Sequence, residues 1–174
     1  MARKVVRSEE RLFREADLVF VTSEKLRERA AKFRDKVYLF PFGVDFIRFE
    51  QARNGSGGLP EDLRVLPRPV VGYVGGLHKW VDQELLVKVT RQMPEVSFAF
   101  VGPLQADTTR LASCPNVHLL GARSHSEIAL YIKGFAVGIV PYSLSEYTTH
   151  VYPTKLNEYL AMDVPVVATD LPEI

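Results

Sequence analysis

Val151-Tyr-Pro-Thr-Lys-Leu-Asn-Glu-Tyr-Leu-Ala161, running into Val164-Pro-Val-Val-Ala-Thr-Asp170, reads as one helix followed almost at once by a buried strand. Leu156 and Leu160 fall at i and i+4 on one helical face, whereas Pro165-Val-Val-Ala-Thr169 is an apolar run without alternation. Such a run belongs in a strand covered on both faces. The first turn of the helix carries Pro153 and Lys155, with Glu158 further along. A helix start offers N–H groups and the positive end of the dipole, which together accept an anion such as phosphate. Lys155 would add a full positive charge, and Glu158 could accept hydrogen bonds from hydroxyls on the same ligand. A nucleoside diphosphate with its ribose supplies both. A plainer reading stays open: proline is common at a first helical position, and Lys155 and Glu158 at i,i+3 can pair on a solvated face.

Outward from this stretch the same alternation repeats. Strands are expected at 70–74, 96–101, 117–120, 136–140 and 165–169, with helices at 82–92, 107–112, 125–133 and 153–162. Ser124-His-Ser-Glu127 is a capping box at the start of the third helix. Nearly continuous apolar strands separated by helices imply an α/β fold, a doubly wound parallel sheet of Rossmann-like layout that binds ligands at the strands' carboxyl ends. Upstream lie a strand at 18–22, a helix with Leu26, Ala30 and Phe33 capped by Thr22 or Ser23, and a strand at 37–40 stopped by Pro41. Asn54-Gly-Ser-Gly-Gly-Leu-Pro60, with Pro67 and Pro69 after it, is the clearest linker signal. The expected organisation is residues 1–50 as one piece, 51–68 as linker and 69–174 as the ligand-binding domain.

The 174 residues are 47% apolar and 25% charged, with a net charge of +1, which gives no case for nucleic acid as a partner. Residues 1–36 nonetheless hold 11 Lys/Arg against 7 Asp/Glu. Arg7, Arg11, Arg14, Arg27, Arg29 and Lys32 suit either solvated helix faces or peripheral contact with an anionic membrane. No apolar run is long enough to span a bilayer. The single cysteine, Cys114, fits a reducing, cytoplasmic setting.

Four loops gather at the carboxyl edge of the expected sheet. Gly72-Tyr-Val-Gly-Gly-Leu-His-Lys79 lets backbone approach a ligand at Gly75 and Gly76, or makes a tight turn only. Its spacing is not the dinucleotide fingerprint, which disfavours hydride transfer. Val101-Gly-Pro-Leu104 and Leu119-Leu-Gly-Ala-Arg123 place Gly102 and Gly121 where a flat base could lie, or where the chain merely turns. Pro141-Tyr-Ser-Leu-Ser-Glu-Tyr-Thr-Thr-His150 is a long polar and aromatic loop of the kind that carries function. His78, His118, His125 and His150 show no metal-ligand spacing, so no metal is expected.

In this order the segments resemble nucleotide-sugar-dependent glycosyltransferases of the GT-B arrangement, most nearly the retaining family 4 type. Ala16-Asp-Leu-Val-Phe-Val-Thr-Ser-Glu24 is similar to the last core strand and helix of that family's acceptor-side domain, and Pro41-Phe-Gly-Val-Asp45 to the segment leading out of it. Gly72-Tyr-Val-Gly-Gly76 is similar to the first strand and loop of the donor domain, and Pro153 through Asp170 to the donor-site helix and following strand. Gly75 through Asp82 looks closest to transferases of cell-surface polysaccharide or teichuronic type. The resemblance implies that Glu158 matches the second acid of a Glu-x7-Glu motif and holds the donor ribose. The first acid falls on His150, leaving the motif incomplete; Glu146 could substitute only in a rearranged loop. Lys155 and the backbone of Tyr152, Pro153 and Thr154 would hold the diphosphate, with Lys79 as a second basic residue. Lys155 and His150 are the implied catalytic positions. The donor would be a nucleoside-diphosphate sugar, the acceptor a glycan or lipid-linked sugar, and no metal or other cofactor would be needed.

About 45 residues before the linker are fewer than an acceptor domain needs. The expectation is therefore a donor-binding half with a remnant of its partner, whose unpaired strands could also join copies into a homo-oligomer. Two other functions remain: a sugar-nucleotide epimerase of the same fold, and a non-catalytic nucleotide-binding or assembly module.

Overall fold

The computed structural model describes residues 2–174, which divide into two compact units. Among the described residues, one comprises 2–43, 144–153 and 171–174; the other comprises 44–143 and 154–170. In the first, α1 (Ala2–Glu15) precedes β1 (Val19–Val21), α2 (Glu24–Ala31) and β2 (Val37–Leu39). The two strands run parallel, with Val19 opposite Val37. Val19, Val21 and Ala30 form a small core that Phe13, Ala16, Leu26 and Val37 flank. Ser23 caps α2 by accepting from the Leu26 N–H at 3.3 Å, as a serine before an apolar helical face should.

The second unit opens with α3 (Phe46–Asn54) and α4 (Glu61–Arg64), in and before the stretch expected as linker. The boundary therefore falls at 43/44 rather than across 51–68. Phe49 and Leu63 are buried, Lys133 Nζ donates to the carbonyls of Ala52 (3.1 Å) and Gly55 (2.7 Å), and Arg53 reaches Asp163. The glycine-rich segment is a loop between two docked helices, because the residues on either side find apolar and charged partners within this unit.

There follow β3 (Val70–Val74), α5 (Gln83–Gln92), β4 (Ser97–Val101), α6 (Thr109–Ala112), β5 (Val117–Gly121), α7 (His125–Lys133), β6 (Val137–Val140), α8 (Lys155–Ala161) and β7 (Val166–Ala168). The five strands form one parallel sheet in the order β5-β4-β3-β6-β7. Local chemistry accounts for the helix starts: Asp82 accepts from the Leu85 N–H at 2.9 Å, and the Ser124 N–H donates to Glu127 at 3.0 Å in the expected capping box. Every residue of β4 is buried, the mark of a strand covered on both faces, whereas the edge strands β5 and β7 are only partly covered. The chain runs outward from β3 to β5 on one side, then returns to place β6 and β7 on the other. That reversal between β3 and β6 is a topological switch point, where the strand ends diverge and leave a crevice.

Candidate functional site

Two loops leave the sheet at the switch point, one after β3 and one after β6. Gly75 follows β3 with φ of 123°, a conformation that side chains other than glycine's rarely tolerate. Its N–H donates to the Val101 carbonyl at 2.8 Å, holding the turn against β4. A Cβ on Gly102 would sit 2.0 Å from the Gly75 carbonyl oxygen, so Gly102 is required for these two turns to touch. Its glycine character is thus explained by packing, and Gly76 is similarly backed by Gln105.

One residue ties α8 to this edge. Tyr159 is fully buried, and its hydroxyl accepts from the Val74 N–H at 3.0 Å. β3 pairs with β6 only through Val71–Val137 and Gly72–Gly138, so the phenol supplies a partner where that ladder has ended. Gly138 leaves the space for it, since a Cβ there would lie 2.7 Å from the ring. With Tyr159 inserted this way, Lys155 one turn earlier is carried to the Gly75 loop, where a Cβ on Gly75 would meet Lys155 Cε at 3.4 Å.

Lys155 is only 9% exposed. Its Nζ donates to the Tyr142 hydroxyl and lies 5.1 Å from the Tyr73 ring centre and 4.8 Å from that of Tyr142. Tyr73 in turn donates to the Gly76 carbonyl at 3.0 Å. Burial pushes the Tyr73 hydroxyl well above the ordinary phenol range, with the neighbouring Tyr142 and Tyr159 adding to it, so it stays neutral. Aromatic faces stabilise a cation, yet among the described residues no carboxylate comes within salt-bridge reach of Nζ. A buried cation without an anionic partner is costly on its own and is a ready receptor for one.

Glu158, three residues on, is 20% exposed at its side chain, with Oε1 3.9 Å from His125 Nε2. Burial raises its pKa above the ordinary glutamate value, opposed by His125 whenever that ring is protonated and by the charges of Lys155 and Arg48. Lys155 and Glu158 therefore share one face of α8 but are not the solvated ion pair that spacing alone allowed.

The helix itself begins at Lys155, not Pro153, and has seven residues. Thr154 takes the N-cap position in helical conformation without a side-chain cap, and its carbonyl accepts from Asn157 at 3.1 Å and Glu158 at 3.4 Å. Pro153 lies before the helix because the chain is still extended at Val151 after a single 3-10 turn, Thr148–His150. His150, Tyr152 and Pro153 fall in the other unit. There His150 Nδ1 lies 2.6 Å from the Glu146 carbonyl oxygen, and Tyr152 packs its ring 6.4 Å from that of Phe42. Lys79 lines a polar groove of about 310 Å³ with Asp82, Glu84, Asp107 and Arg110, a lining that shares no residue with the Lys155 cluster. Gly121 ends β5 at φ of 77°, leading to Arg123, which donates to the Tyr131 hydroxyl and to Asp62, both at 2.6 Å. Among the described residues no group of three His, Cys, Asp or Glu side chains is placed to hold a metal, and no helix is long and apolar enough to cross a membrane.

Sequence reasoning brought out Gly75, Lys155 and Glu158, which the fold unites. It missed Tyr73, Tyr142, Tyr159, Arg48 and His125. Only Tyr159 carried a usable local signal, as a large aromatic on the buried face of α8.

Comparison with known proteins is consistent with this geometry. Residues 68–174 match the family model described as Glycosyl transferases group 1. A Bacillus subtilis (strain 168) protein, TuaH, provisionally named a teichuronic acid biosynthesis glycosyltransferase, is 32% identical over 98% of this chain and 45% of its own length. The chain thus spans about half the length of that relative. Among solved structures, Anabaena Alr3699/HepE, crystallised in complex with UDP and glucose, superposes with a TM-score of 0.70 at 19% identity over 99% of this chain and 50% of its own. The apo structure of OtsA follows at 0.59 and 12% identity, covering 87% of this chain and 45% of that one. At such identities these two likenesses speak for the fold alone.

Proposed function

The chain belongs to the group 1 glycosyl transferases, and on that premise we propose that the Lys155 cluster receives the diphosphate of a nucleotide sugar while Glu158 accepts hydrogen bonds from its ribose. The observation that carries this reading is the buried Lys155 ammonium, caged by Tyr73 and Tyr142 beside the Gly75 turn, with no carboxylate within salt-bridge distance among the described residues. Cleavage of the sugar–phosphate bond leaves negative charge on the departing diphosphate. A preorganised cation in a largely water-excluded site stabilises that charge more than water does. The protein would then supply the donor half of a sugar transfer, with a glycan or lipid-linked sugar as acceptor. HepE, solved with UDP and glucose, supports UDP as the first nucleotide to try. The setting that goes with this reading is cytoplasmic, supported by the lone buried Cys114, with the basic residues of 1–36 available to an anionic membrane surface.

Calorimetric titration of the full chain with UDP and GDP tests the proposal. Saturable binding of at least one is expected. Lys155→Met should weaken it about 10- to 150-fold, the equivalent of one charge-assisted hydrogen bond worth about 1.5–3 kcal/mol. The same substitution should leave the fold intact or slightly stabilised, because it removes a buried charge. Folded wild-type protein that binds neither nucleotide, or equal affinity in Lys155→Met, would overturn the assignment.

A further inference from the structure

We propose that Arg48 and His125 form a positioning relay for Glu158, in which Arg48 fixes the imidazole tautomer and His125 aims its Nε2–H at the carboxylate; this rests on the donor-site reading above. The chemistry begins with Arg48, whose guanidinium can donate hydrogen bonds but cannot accept one. Its Nη1 lies 2.8 Å from His125 Nδ1, so Nδ1 must present a lone pair. A neutral imidazole with a lone pair on Nδ1 carries its proton on Nε2. That nitrogen is the one facing Glu158 Oε1, at 3.9 Å. Arg48 also donates through Nη2 to the His125 backbone carbonyl, so the residue is gripped at two points, one on the ring and one on the main chain.

The helix that carries Arg48 is itself held in place from several directions. Asp45 caps α3 by accepting from the Arg48 N–H at 3.3 Å, and Phe49 next to it is buried. At the far end of α3, Lys133 of α7 clamps the carbonyls of Ala52 and Gly55, while Arg53 reaches Asp163 beyond α8. α3 thus bridges the start of α7 to the end of α8, the two elements that carry His125 and Glu158. The 3.9 Å separation is longer than a hydrogen bond, and a small rotation of the carboxylate, or one bridging water, would close it. A carboxylate steadied on one oxygen by a neutral N–H keeps its other lone pairs for two vicinal hydroxyls. Because His125 is neutral in this arrangement, it steadies Glu158 without adding a second full charge next to Lys155.

The first test needs no ligand. Long-range 1H–15N correlation spectra of the full chain at about pH 8, above the ordinary imidazole range, should show His125 with Nε2 protonated and Nδ1 bare, assigned by loss of the signal in His125→Gln. Arg48→Met should mix the tautomers. The second test is UDP titration. His125→Gln, whose amide can accept from Arg48 and donate to Glu158, should hold affinity within about twofold. His125→Leu and Arg48→Met should each lower it about 5- to 10-fold, and these losses should vanish in a Glu158→Gln background, as a shared pathway requires. A protonated Nδ1 in the wild type, or a His125→Leu loss that simply adds to that of Glu158→Gln, would overturn the relay. If the wild type binds neither UDP nor GDP, the donor-site reading falls and the positioning role with it, while the tautomer still reports whether Arg48 sets the ring.

Discussion

The two parallel sheets of this chain are built from similar residues and covered very differently. In the five-stranded sheet, β4 carries Phe98, Ala99, Phe100 and Val101 at no more than 2% exposure. In the two-stranded sheet, Val19 and Val21 face a core, yet Phe20 between them is 64% exposed and Tyr38 beside it 49%. Phe20 instead packs its ring against those of Tyr38 and Phe40, at 5.9 and 6.3 Å. Parallel strands ordinarily need cover on both faces. The larger sheet has it and can support a buried lysine, whereas the smaller one presents an aromatic face.

The largest effect should come from removing cover where it is complete. Phe100→Ala, next to the Tyr73 ring at 6.1 Å, is expected to cost about 3–5 kcal/mol of unfolding free energy. Phe20→Ala should cost no more than about 1 kcal/mol, the scale of an exposed cross-strand aromatic pair. The protein's single tryptophan, Trp80, lies in the larger unit, so its fluorescence during urea titration reports the Phe100 loss, while far-UV circular dichroism, to which the helices of both units contribute, reports the Phe20 loss. Equal costs at the two positions would break the comparison, because they would mean that the Phe20 face is covered in solution.

A subtler substitution sharpens it. Tyr159→Phe keeps the ring that Gly138 accommodates but removes the hydroxyl that receives the Val74 N–H. A buried donor left without its partner costs about 1–3 kcal/mol. The displaced α8 should also loosen the Lys155 cage, so UDP affinity should fall together with stability. A stability loss with unchanged affinity would show that Lys155 is placed by other contacts.

How much of this was legible beforehand depended on the range of the interaction. The strand and helix alternation and the Ser124–Glu127 box are written in neighbouring residues, and both appear. The membership of α3 in the larger unit was hidden because its partners, Lys133 and Asp163, lie far along the chain. The same holds for the relay, where Arg48 and His125 are 77 residues apart. Tyr73 and Tyr142 looked like a strand core residue and a loop aromatic; only the switch point between β3 and β6 brings both to Lys155. The late start of α8 was missed for a different reason: a proline can begin a helix or stand before one, and residues 148–150 resolved that locally by forming a 3-10 turn.

The smallest expected effect distinguishes covered from uncovered carboxylates by their response to pH. Burial raises the pKa of Glu158, so the folded protein holds this proton more tightly than the unfolded chain does. Its contribution to stability is therefore most favourable below the ordinary glutamate range and is lost as pH rises through the raised folded value. Nucleotide affinity should run the other way across that window, since the ionised carboxylate accepts from two hydroxyls more strongly than the protonated acid does. Urea midpoints and UDP titrations between about pH 4 and pH 8, bracketing the ordinary glutamate value, would follow both slopes. The UDP phosphate also titrates here, near pH 6 by analogy with other phosphate monoesters, so the informative quantity is the difference between wild type and Glu158→Gln. Opposite slopes that flatten together in Glu158→Gln place the titrating proton on this carboxylate. A stability slope that survives the substitution assigns it to another group and leaves Glu158 ionised throughout.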